Sequence, residues 1–288
     1  MAPPTNADGQ APASSAPGSS LRLRFISAAV LLPITFGGAW LGGVWWVMLV
    51  AAFACAMAWE WSGIVADRST PRIGFFNTVP AGVVAAIAVA GAVGLTDAGW
   101  TAFSLMLLVM GAMLAALLAR ADRPGWQALG VFYVGLPSLT IVWIRDEPDG
   151  LAVLAWMLSL VIAVDTGAYA AGRTIGGPKL APRISPKKTW AGLAGGVAGA
   201  LLVGWISAFL LGLPRFLPLI LVSGGLAVVE QVGDLAESAF KRHFGVKDSS
   251  RLIPGHGGVL DRVDGLLAVA LVVGLIGFFQ GGLAGWMR

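Results

Sequence analysis

The fold class this sequence predicts is all-α, a polytopic integral membrane protein of about nine transmembrane helices, and three observations predict it. Only 12% of the 288 residues are charged, about half of the ~25% usual in soluble domains. The mean hydropathy is +0.81. Apolar stretches of about 20 residues, enough helix to cross about 30 Å of hydrocarbon, recur from Phe25 to the C-terminus. A water-soluble fold is excluded on these grounds. The single cysteine, Cys55, excludes a disulfide framework and a Cys-based metal site. The net charge of +4 reads as loop topology plus an anionic substrate, with no nucleic-acid partner.

The elements follow in order. Residues 1–21 are rich in Ala, Pro, Ser, Gly and Asn, lack the apolar content to fold alone and predict a disordered cytoplasmic tail. Arg22 and Arg24 then precede an apolar run too long for a secretory signal, so it reads as an uncleaved anchor. Polar breaks divide the remainder into spans at 25–42, 44–64, 77–95, 99–119, 126–144, 151–172, 190–212, 216–240 and 259–281. The first five, within 22–150, form an N-terminal membrane region, and 151–288 a catalytic region with cytoplasmic loops. With the N-terminus inside, only Arg145, Arg215 and Arg288 among the basic residues fall on the outer side, and Arg262 lies at the mouth of the last span. This bias is the positive-inside rule, and it faces the loops of the catalytic region to the cytoplasm.

Chemistry concentrates after residue 165. Glu230, Asp234, Glu237 and Ser238 are spaced i, i+4, i+7 and i+8, one face of an apolar helix. Three carboxylates on one stripe at membrane depth cost several kcal/mol unless cations neutralise them. Asp261 and Asp264, i and i+3 at the start of the last span, can meet Asp234 from the neighbouring helix. Asp234, Asp261 and Asp264 are therefore candidate metal ligands, and hard oxygen donors without Cys favour Mg²⁺, with a second metal ion possible. Between these helices lies a loop with Lys241, Arg242, Lys247, Arg251, His256 and several glycines, supplying the charge and backbone donors that a polyphosphate needs. Asp165 sits inside an apolar span and is a functional candidate. Ser185, Lys187, Lys188 and Thr189 place two hydroxyls and two ammonium groups just before a helix, as a phosphate clamp would.

Ser238, Phe240, Lys241, Arg242, Lys247, Asp248, Ser250, Ile253, Pro254, His256, Gly257, Gly258, Val259, Asp261, Arg262, Val263 and Asp264 fill every specified position of a long signature. That stretch resembles the phosphatidate cytidylyltransferase (CDP-diglyceride synthase) family. The likeness extends to 165–169, 179–189 and 231–238, and departs at Ala191, where relatives often carry Glu or Gln. The resemblance implies a nine-helix, homodimeric enzyme of the cell (inner or plasma) membrane, in which Asp234 and Asp261 match metal ligands.

It also implies attack of a phosphatidic acid oxygen on the α-phosphorus of CTP, giving CDP-diacylglycerol and pyrophosphate. Catalytic candidates are Asp234, Lys241, His256, Asp261, Arg262 and Asp264. Ser185, Lys187, Lys188, Thr189, Arg242, Lys247, Asp165 and Ser238 would bind substrate. A phosphate anion needs no general base at neutral pH, which favours a structural or phosphate-binding role for His256. The lipid tail would stay in the bilayer while its head reaches the site. Two other readings are a CTP-dependent polyprenol or dolichol kinase, which would release CDP, and an ion-coupled transporter, which would turn over no nucleotide.

Overall fold

The computed structural model describes residues 29–31, 33–66, 109–113, 123–253 and 257–280. Six helices among them are long and apolar enough to cross a membrane: α1 (Gly43–Val65), α2 (Pro124–Asp146), α3 (Gly150–Thr174), α4 (Trp190–Leu210), α5 (Leu217–His243) and α6 (Leu260–Phe279). Each matches an expected span to within three residues, because hydropathy marks where a helix must leave hydrocarbon. The first expected span is described only in part, and its described residues up to 41 are helical. The spans at 77–95 and 99–119 lie outside the described residues except for a helical piece at 109–113, as does the tail at 1–21. The protein is an all-α, multi-pass membrane protein.

The segment between α3 and α4, a polar break that reads from sequence as a loop, instead contains a small antiparallel hairpin, β1 (Lys179–Ala181) and β2 (Ser185–Thr189), with Lys179 opposite Thr189 and Ala181 opposite Ser185. Pro186 obscures the signal, but a two-stranded ribbon is all edge and tolerates a proline.

The helices pack through small residues. A Cβ on Gly195 of α4 would lie 2.6 Å from the Gly167 carbonyl oxygen of α3 and also strike Ala171, so the two backbones touch. Close approach through glycine is how helices associate where lipid competes equally for apolar surface. The outer face of α4 exposes Leu202, Trp205, Phe209 and Leu210, an apolar surface too extensive for water. On the other side Trp61 of α1 stacks on Phe240 of α5 at 3.8 Å and donates to the Trp126 carbonyl of α2 at 2.8 Å.

Two ends of the bundle are thereby defined. At one, Arg123 donates to the Val65 carbonyl, joining the start of α2 to the end of α1. At the other, Arg145 donates to the carbonyls of Ala39 and Trp40. The hairpin, the end of α5 and the start of α6 share the first end.

Candidate active site

The acids of α5 lie where the periodicity put them, on a stripe facing α6. Glu230 and Glu237 are buried and Asp234 is half-buried. Contact between α5 and α6 is close because Gly233 and Gly265 face each other: a Cβ on Gly233 would fall 2.6 Å from Ala268, and one on Gly265 would fall 2.7 Å from Glu230. Cations meet the stripe from two directions. Lys188 reaches from β2 to within 2.5 Å of Asp234, an ion pair without aligned hydrogen-bond geometry. Lys241 sits between Glu237, at 2.5 Å, and Asp261 of α6, at 2.7 Å. Its bond to Asp261 is an aligned hydrogen bond, whereas its contact with Glu237 is an ion pair only.

Asp234, Lys241 and Asp261 open onto a cavity of about 260 Å³ that Asp165, Asp248, Arg262 and Asp264 also line. Three helices and the loop after α5 therefore converge on one polar chamber at the basic end of an apolar bundle. Of the expected site residues, Asp165, Asp234, Lys241, Asp261, Arg262 and Asp264 line it; Lys188 adjoins it through Asp234, and Ser238 donates to Asp234 at 3.3 Å. Lys187, Arg242 and Lys247 are exposed and do not line it. Arg242 donates instead to the Val246 carbonyl. Ser185 begins β2, while Thr189 is buried and accepts from the Gly192 amide, capping α4. His256 lies outside the described residues.

Asp261 is heavily engaged. Besides Lys241 it accepts from the amides of Ser249, at 3.0 and 3.2 Å, and Gly258, at 2.9 Å. Among the described residues, no three Asp, Glu, His or Cys side chains converge tightly enough to cage a metal ion. The donor set still fits Mg²⁺, which is held by one or two carboxylates, with water and substrate phosphates completing its shell. Asp234 and Asp264, facing one chamber from two helices, are suited to that.

One residue escaped the sequence reading. Glu60 of α1 is 1% exposed. One of its oxygens accepts from the Ser250 hydroxyl at 2.6 Å and the Val259 amide at 2.9 Å, the other from the Leu260 amide at 2.8 Å and the Ser249 hydroxyl at 3.3 Å. Gly258 is required beside it, since a Cβ there would lie 2.6 Å from the Glu60 carboxylate and strike Ser249. The signal was present: Glu60 is the one acid in the five N-terminal spans, and ionisable groups at membrane depth are functional candidates by default.

Residues 22–279 match the model of the cytidylyltransferase family. The chain is 41% identical over 260 residues to the phosphatidate cytidylyltransferase of Brucella suis, covering 90% of this chain and 94% of the relative. It is 37% identical over 262 residues to that of Pseudomonas aeruginosa, covering 86% and 93%. With that of Haemophilus influenzae it shares 33% identity, covering 90% and 99%.

Proposed function

Since the chain belongs to the cytidylyltransferase family, we propose that its polar chamber is where a cytidylyl group passes from CTP to phosphatidate. The activity is a nucleotidyl transfer that makes CDP-diacylglycerol for phospholipid synthesis. The observation that carries the placement is the meeting of acids from α3, α5 and α6 with Lys188, Lys241 and Arg262 at one end of an apolar bundle.

Both reactants are anions, so their mutual repulsion is the first barrier. A phosphatidate oxygen attacks the α-phosphorus, a new P–O bond forms, and the bond to the β-phosphate breaks with its electron pair leaving on pyrophosphate. Mg²⁺, held by Asp234 and Asp264 with help from Asp261, would orient and neutralise the CTP phosphates. Arg262 is exposed at the chamber mouth, where its guanidinium can take phosphate oxygens two at a time. Lys188 and Lys241 hold Asp234 and Asp261 in place and offset the carboxylates in the absence of other cations. Lys187, Arg242 and Lys247, exposed around the chamber, draw CTP and pyrophosphate by charge. The diacyl tails stay in hydrocarbon between helices.

The chamber faces the cytoplasm in the cell membrane, a placement supported by Arg173, Lys179, Arg183, Lys187, Lys188, Lys241, Arg242, Lys247 and Arg251 at its end of the bundle. The enzyme works as a homodimer, which the exposed apolar faces leave room for.

The test is conversion of radiolabelled CTP by the purified protein in detergent, with and without phosphatidic acid and Mg²⁺. A lipid-soluble cytidine product with equimolar pyrophosphate, dependent on both additions, is expected. Label left wholly water-soluble overturns the reading, and CDP beside a phosphorylated lipid replaces it with a kinase.

A further inference from the structure

Helix α6 carries Asp261, Arg262 and Asp264 into the chamber, yet it has no cap of its own. Val259 precedes it without a side-chain acceptor. The first amides of a helix need acceptors, and buried ones left unmet are costly. Here the Val259 and Leu260 amides are met by Glu60, 199 and 200 residues earlier in the chain. A carboxylate is also the charge that a helix N-terminus favours.

The same carboxylate accepts from the hydroxyls of Ser249 and Ser250, and the Ser249 amide in turn donates to Asp261. A continuous chain of hydrogen bonds therefore runs from α1 through Ser249 to Asp261. With its oxygens accepting from four donors, Glu60 is a poor candidate for a metal ligand or proton carrier. Among the described residues, its hydrogen bonds reach the chamber lining only through this chain and the backbone of α6.

We propose that Glu60 is a positioning residue for cytidylyl transfer: it caps α6 from α1 and clamps the loop at Ser249 and Ser250, fixing where Asp261, Arg262 and Asp264 stand. This gives the first described membrane helix a part in the chemistry, and it rests on the chamber being the active site. Misplacement of reacting groups by about 1 Å can cost on the order of 100-fold in rate. The loss should therefore fall on turnover, with little change in lipid affinity.

Glu60→Gln is the sharpest variant. It keeps the shape, and a serine hydroxyl can rotate to accept from the new NH₂ group, but a backbone amide facing that group cannot. Its kcat should fall about 10- to 100-fold, as for outer-shell partners of metal ligands, while KM for phosphatidate stays within about twofold. Glu60→Asp keeps the charge but falls a methylene short, so its kcat should lie between Glu60→Gln and wild type; it is the variant to read if Glu60→Gln does not yield folded protein.

A merely structural Glu60 would lower yield and melting temperature in detergent and leave kcat per folded enzyme unchanged, and that result overturns the inference. Asp261→Asn is assayed beside it. Full activity there removes the chamber reading itself, whereas a dead Asp261→Asn beside a fully active Glu60→Gln removes only the role given to Glu60.

Discussion

At the scale of single residues, the site is a balance of charges that cannot be disturbed one at a time. Lys241 serves two carboxylates, Glu237 at 2.5 Å and Asp261 at 2.7 Å. Removing the cation from a buried pair leaves charge uncompensated and costs about 3–5 kcal/mol, whereas replacing the whole pair by apolar groups of similar volume is often neutral. Lys241→Met should therefore lower the melting temperature in detergent markedly, and adding Glu237→Leu should restore part of it although the double variant remains inactive. Melting curves of the two singles and the double check this; additive losses would mean that the contact is not energetically coupled. The stripe itself was legible, since Glu230, Asp234 and Glu237 need only the helical period to share a face. The partners were not, because Lys188 and Glu60 arrive from other elements and no local pattern says which carboxylate or amide they meet.

Elements carry these residues to the chamber through contacts that depend on missing side chains. The hairpin bearing Lys188 hangs between α3 and α4, so the spacing of those helices sets where its ammonium falls. Gly195 allows that spacing, lying against the Gly167 carbonyl and Ala171. Gly195→Val would force the helices apart, and overpacking of this kind typically costs about 1–3 kcal/mol. A lower melting temperature and reduced turnover are expected together, while Gly225→Val, on an open face of α5, serves as a control with neither effect. A variant at Gly195 that melted and turned over like wild type would show that the hairpin is placed independently of the α3–α4 contact. Helix boundaries were readable because polar breaks coincide with leaving the membrane. The hairpin was not, since five residues with a proline and two lysines carry no strand alternation, and Thr189, a clamp candidate by composition, spends its hydroxyl oxygen on capping α4.

For the molecule as a whole, the proposed reaction poses a problem of supply: CTP arrives from water and phosphatidate from the bilayer, so a chamber that performs it would open at headgroup level on the side where CTP is made. The two ends of the bundle differ in charge accordingly, with the hairpin and the loops around α5 and α6 basic at the chamber end and Arg145 and Arg215 at the other. Orientation can be tested without reference to activity. Arg183→Cys in the hairpin and Arg215→Cys between α4 and α5 are both exposed positions, and the native Cys55 lies midway along α1, out of reach of a membrane-impermeant maleimide. Arg183→Cys should label only in inside-out vesicles and Arg215→Cys only in right-side-out ones. The reverse pattern would put the chamber on the face that CTP does not reach, and a chamber placed there could not be the site of cytidylyl transfer whatever its carboxylates bind.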